Sequence, residues 1–96
     1  MRLYLITYDV CVTDEDGPRR LRRVAHTCES RGHRVQNSVF ECLLNTRELA
    51  LLRARLLDII DPTTDSLRIY TIGDRDSYVE THGVDKTLDL TQSLVF

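Results

Sequence analysis

The amino-acid sequence predicts an α+β sandwich of ferredoxin-like type (βαββαβ), with two helices on one face of a small sheet, and it predicts a homodimer. The apolar periodicity switches in the order strand, helix, strand, helix, strand, and both helices carry their own start signals. The first strand is also apolar on both pleat faces, so the face that the helices leave open needs a cover. With 96 residues, 42% hydrophobic and 29% charged, the chain reads as a single domain spanning 1–96. A chain this short buries only about two-thirds of the surface its unfolded form exposes. A second copy is the economical source of further burial.

Leu3 to Val10 reads as a buried central strand, with Leu3 and Leu5 on one face and Ile6 and Val10 on the other. Asp9 interrupts it near the end, on the face of Leu3, Leu5 and Thr7, where an unpaired buried carboxylate would be costly. A cation, a hydrogen-bond network at the strand end, or water beyond the core could each satisfy it. Thr13 to Pro18 is a polar turn that starts a helix, with Pro18 at the first helical position and Asp16 or Gly17 as cap. Leu21, Val24, Ala25 and Cys28 then form an apolar stripe, and the helix closes at Arg31-Gly32. At 100° per residue, Arg19, Arg22, Arg23 and His26 share the opposite sector, while Arg20 and Arg31 flank the stripe.

Arg34 to Leu44 is strand-like but long, with a bend expected near Asn37-Ser38, so one kinked strand or two strands about a tight turn both fit. Asn45 with Glu48 signals a capping box, followed by a helix with the stripe Leu49, Leu52, Leu56 and Ile59, stopped at Asp61-Pro62. Leu67, Ile69 and Thr71 alternate with Arg68, Tyr70 and Ile72 in a further strand ending at Gly73-Asp74. Residues 74–86 read as polar loop and 88–96 as an apolar tail. The segment 74–96 is therefore expected to pack on the partner subunit, adding a C-terminal edge strand to it.

No apolar run approaches a membrane span and the N-terminus lacks a signal-peptide cleavage site, so a cytoplasmic protein without membrane contact is expected. Cys11, Cys28 and Cys42 are odd in number and widely spaced, which argues for reduced thiols rather than a disulfide framework or zinc site. The net charge of −2 is unevenly spread: from Gly17 to Gln36 there are six arginines and one acid, Glu29, giving +5 locally. Twelve of the thirteen basic residues are Arg, with only Lys86 as Lys. That bias suits bidentate phosphate contacts and makes nucleic acid the expected partner, held by its backbone through Arg19, Arg20, Arg22 and Arg23. His26, His33 and His82 have no metal-ligand spacing. One Asp9 is a meagre site, but the two-fold axis of a dimer would supply two carboxylates, adequate for Mg²⁺ completed by water and phosphate.

Four motifs follow one another in order: Tyr-Asp-Val at Tyr8 to Val10, Arg-Leu-Arg-Arg-Val-Ala at Arg20 to Ala25, Arg-Val-Gln-Asn-Ser-Val-Phe-Glu at Arg34 to Glu41, and Asp-Ser-Leu-Arg-Ile-Tyr at Asp65 to Tyr70. Together they resemble the small CRISPR-associated adaptation proteins, the second of the two universal subunits, most closely the variants accompanying type I-C systems. The resemblance implies a ferredoxin-like homodimer, a metal-dependent endonuclease acting on RNA or DNA, and a bridge between two dimers of the partner integrase during spacer acquisition. It makes Asp9 the metal-binding and catalytic aspartate, with Mg²⁺ or Mn²⁺ at the dimer axis, and Tyr8 its catalytic neighbour. It also implicates Arg23, Arg34, Ser38 and Phe40 in nuclease function on nucleic acid. Two readings follow. One is a metal-dependent nuclease centred on Asp9; the other is an adaptor that cradles double-stranded DNA, and also meets single-stranded RNA, with catalysis dispensable. The adaptor reading is favoured as the biological role. A small-ligand regulatory module on the same fold is the alternative, disfavoured by the six-arginine cluster.

Overall fold

A computed structural model describes residues 1–73 and 78–84. The elements run β1 (Arg2–Asp9), α1 (Gly17–Glu29), β2 (His33–Gln36), β3 (Val39–Leu44), α2 (Thr46–Ile59), β4 (Ser66–Ile72) and β5 (Tyr78–Gly83). The five strands form one antiparallel sheet in the order β2-β3-β1-β4-β5, with both helices on one face. The first strand is therefore central, as its apolar character predicts. Of its two apolar faces, the one with Ile6 is the core face: Tyr4, Ile6 and Tyr8 are buried beneath the helices, while Leu3, Leu5 and Thr7 are half-buried and Asp9 is exposed. The tyrosines lie inward because the strand's even positions face the helices, and amphipathic rings can bury their bodies there.

The ambiguous stretch after Gly32 is two strands. β2 and β3 form a hairpin about Asn37 and Ser38, with a register shift between Arg34 and Gln36. Phe40, Cys42 and Leu44 alternate inward with Val39, Glu41 and Leu43 outward. The α2 capping box forms as its sequence requires, with the Glu48 N–H donating to the Asn45 side chain at 2.8 Å and the Asn45 N–H to the Glu48 carboxylate at 3.0 Å. The α1 start differs in detail. Gly17 takes the first helical position and Pro18 the second, and Asp16 stands at the cap without a side-chain hydrogen bond. Glycine is needed there, since a Cβ would lie 2.2 Å from the Cys11 carbonyl oxygen as the chain leaves β1. The helix ends at Glu29, two residues before the expected stop.

Residues 78–83, expected to be loop, form β5 on the edge of β4 in the same chain. The sequence hides this alternation because the helix-side positions are polar: Glu80 accepts a bidentate bond from Arg53 of α2 at 2.8 and 3.0 Å, and His82 contacts the same carboxylate. The expected tail on the partner subunit lies outside the described residues. Behind the sheet, the core joins Val24 and Cys28 of α1 with Leu49, Leu52 and Leu56 of α2. The opposite face carries the row Leu43, Leu3, Ile72, with Leu43 58% and Ile72 46% exposed.

Candidate nucleic-acid interface

Beside the C-terminal end of β1, the hairpin and α1 enclose an open concavity. Tyr8, Asp9 and Val10 form one side, Leu21, Arg22 and Ala25 a second, and Arg34, Asn37 and Ser38 a third. Five residues expected at the site (Tyr8, Asp9, Arg22, Arg34 and Ser38) thus meet in one place, although they come from separate parts of the fold. The hairpin is tied to β1 here: the Tyr8 N–H donates to the Ser38 carbonyl and the Tyr8 hydroxyl to the Asn37 carbonyl, both at 3.2 Å. The Tyr8 phenol is held protonated, its pKa raised by burial above all, with Cys28 contributing in the same sense. It is thus unsuited to act as a base at neutral pH, and the geometry gives it a positioning role. Its ring stacks on Phe40 with centroids 6.2 Å apart.

Phe40 itself is fully buried, so its aromatic face meets the core and not a nucleobase. It instead seats Arg34, whose guanidinium carbon lies 5.1 Å from the ring centroid while its Nη2 reaches Glu29 at 3.2 Å. Arg20, expected on the flank of the apolar stripe and among the phosphate-binding arginines, is committed to acids of its own chain. Its Nε donates to Asp65 at 2.9 Å and its Nη1 and Nη2 to Asp14 at 3.1 and 2.8 Å, leaving the side chain 12% exposed. A position at the flank of the apolar stripe turns inward when an acid waits there. Asp65, fully buried, also accepts the N–H groups of Cys11 at 2.9 Å and Asp61 at 2.8 Å. Burial is the largest influence on its pKa and pushes it up. Arg20 and the two backbone donors outweigh it, so the pKa is lowered and the carboxylate stays ionised.

Asp65 carries only a weak signal in the sequence, that of an acid just before an alternating strand, and the expected site does not include it. Its effect is to lock the exit of β1, the first turn of α1 and the start of β4 together around Asp9, which pairs in register with Ser66.

The other arginines of α1 point elsewhere. Arg19 and Arg23 line the outer groove between α1 and α2, where Arg55 and His26 join them and Asp16, Asp58 and Asp61 also stand, without pairing with them. Among the described residues, Arg19, Arg22, Arg23 and Arg55 form no ion pair, whereas Arg20, Arg31, Arg34 and Arg53 each do. Of the thiols, Cys28 and Cys42 are buried and their pKa values pushed up to about 12 and about 11, chiefly by burial, so neither is a nucleophile at neutral pH.

For a metal, the described residues bring no three His, Cys, Asp or Glu side chains together. Asp9 offers one exposed, hard oxygen donor per chain. One carboxylate of this kind is a hard donor of the type Mg²⁺ or Mn²⁺ takes, alongside water and phosphate. No helix among the described residues is long and apolar enough to cross a membrane.

The family model for CRISPR associated protein Cas2 matches residues 1–78. The CRISPR-associated endonuclease Cas2 of Halalkalibacterium halodurans is 45% identical over 95 residues, 98% of this chain and 99% of that protein. The CRISPR-associated endoribonuclease Cas2 1 of Moorella thermoacetica is 47% identical over 92 residues, 95% of this chain and 96% of that one. Among solved structures, that of Streptococcus pyogenes Cas2 at pH 6.5 superposes with a TM-score of 0.69 at 46% identity, covering 76% of this chain and 88% of that one. With the four motifs in place and these matches along almost its whole length, the chain belongs to the CRISPR-associated Cas2 family.

Proposed function

We propose that this protein is a homodimeric nucleic-acid-binding subunit of CRISPR adaptation. It holds duplex DNA by its backbone, meets the integrase subunit, and carries a separable phosphodiester endonuclease activity centred on Asp9. The observation that carries the binding role is the set Arg19, Arg22 and Arg23. All three are exposed on one helix and free of ion pairs among the described residues, although acids outnumber Lys and Arg in the chain. An unneutralised guanidinium presents its fork of donors to phosphate oxygens without sequence preference. Replacing the three together with Ala should lower duplex affinity and flatten its salt dependence by about 0.9 slope units for each phosphate no longer neutralised. An unchanged slope in a salt titration would put the phosphate contacts on another surface.

The nuclease reading rests on a second observation, the meeting of Asp9, Arg22, Arg34 and Ser38 about one concavity. Arg22 and Arg34 would bind and orient a phosphodiester there, and Tyr8 and Asn37 fix the wall against which it lies. Asp9 would hold a divalent ion, which would supply Lewis acidity and an acidified water. Homodimerisation is supported by the apolar row Leu43, Leu3, Ile72 on the open sheet face. Asp9→Asn should abolish cleavage while leaving fold and duplex affinity intact, and protein supplied with its integrase should still support spacer capture. Loss of capture by a folded, DNA-binding Asp9→Asn dimer would make the metal site primary and demote the adaptor role.

A further inference from the structure

Two charges on α2 stand at the wrong ends of the helix. Arg47 lies in its first turn and Asp58 in its last, where the helix dipole favours the opposite signs, and no basic residue stands in that last turn. The fold does not hold them there: both are exposed, and neither forms an ion pair among the described residues. A local preference overruled on the surface points to a demand from outside the chain. At 100° per residue, Arg47, Leu51, Ala54 and Asp58 fall within a sector of about 60° opposite the buried Leu49, Leu52 and Leu56. Their spacing of i, i+4, i+7 and i+11 is that of a coiled-coil seam. Ala50 and Leu57 flank it, and all six residues are exposed, Leu51 49% and Leu57 37%. The helix thus carries a second apolar stripe, left open by the described residues.

The seam is complementary to itself. In an antiparallel pair of two copies of α2, the register that sets each Arg47 against Asp58 of the other copy also sets each Leu51 against Ala54. Large then meets small, which lets the helices approach closely, and opposite charges close both ends. A parallel pair would instead set Arg47 on Arg47 and Asp58 on Asp58, so the charges select the antiparallel arrangement. We infer that the outward face of α2 is a second homotypic interface, in which two copies of this chain pair antiparallel through Arg47–Asp58 contacts at the ends and Leu51–Ala54 contacts between them. The interface is isologous and lies across the molecule from the sheet face proposed for the dimer, so it joins dimers to one another. Its apolar patch is short and its ion pairs stand at the surface, so the association is weak and salt-sensitive.

The test is sedimentation equilibrium of the full-length protein, with Arg47→Asp and Asp58→Arg made singly. The wild type should pass from dimer towards tetramer as its concentration rises beyond the micromolar range. Each reversal turns two attractions per interface into two repulsions and should weaken that step by about tenfold. Both reversals suit the helix dipole, so neither unfolds α2. Mixed in equal amounts, the two variants present opposite charges to each other, and association should return to the wild-type strength. Association unchanged by either reversal overturns the interface, and so does a mixture no stronger than its components. Failure of the sheet-face dimer reads differently: the largest species is then a dimer that each reversal dissociates and the mixture restores.

Discussion

Asp65 illustrates how much one residue can hold. It is a fully buried carboxylate with an arginine and two backbone donors around it, and those donors lose their partner if it is removed. Asp65→Ala should cost about 3–5 kcal/mol, the usual effect of breaking one side of a buried ion pair. Because its folded pKa is lowered, its contribution is complete above the unfolded value of about 3.9 and is lost as pH falls through the folded value. Thermal melts should therefore show no Asp65-dependent change between neutral pH and about pH 5, then a decline below about pH 4 that Asp65→Asn flattens. A steep decline in the Asn variant would assign the acid sensitivity to other groups. At this scale the sequence is only partly legible. Asp9 with Arg22 and Arg34 can be read from motif and charge. The inward turn of Arg20 cannot, because its partner Asp65 stands far along the chain. Phe40 is legible as core packing from strand alternation, and its ring lies in the core; only the family resemblance places it at the site.

Elements with local signals form as the sequence requires. The α2 capping box needs only four consecutive residues, and its two reciprocal hydrogen bonds are both present. Asn45→Ala should destabilise the fold by about 1 kcal/mol, read as a lower denaturant midpoint with unchanged m-value. Retention of the wild-type midpoint would mean that tertiary packing alone sets the helix start. The β2–β3 hairpin is undecided in the sequence because the run from Arg34 to Leu44 carries no glycine or proline at its turn. β5 escapes sequence reading because its helix-facing side chains meet Arg53 rather than apolar core, so the usual inward apolar signal is absent. Its end is fixed by Gly83, at φ 83°, where a Cβ would lie 2.0 Å from the Asp65 carbonyl oxygen, and by the Val84 N–H bond to the same oxygen at 2.9 Å.

On the scale of the whole molecule, the order of apolar segments is enough to give the sandwich, because each helix must find a sheet face and the doubly apolar β1 belongs at the centre. The open face beyond it is where two copies are proposed to meet. Leu43 projects from that face, 58% exposed and outside the chain's own core, so Leu43→Glu should spare the fold while shifting the dimer to monomer in light scattering at micromolar concentration. An unaltered dimer would place the contact on another surface. The central position of β1 also sets the timing of synthesis. Its two neighbours are β3 and β4, and the second of these is complete only at Ile72, long after the ribosome has finished Asp9. At about 5–20 residues per second, the first strand waits roughly 3–13 s for its second partner. β1 thus has no sheet partner until β3 is complete at Leu44 and only one from there to Ile72, and the nascent chain is most open to mispairing during that interval.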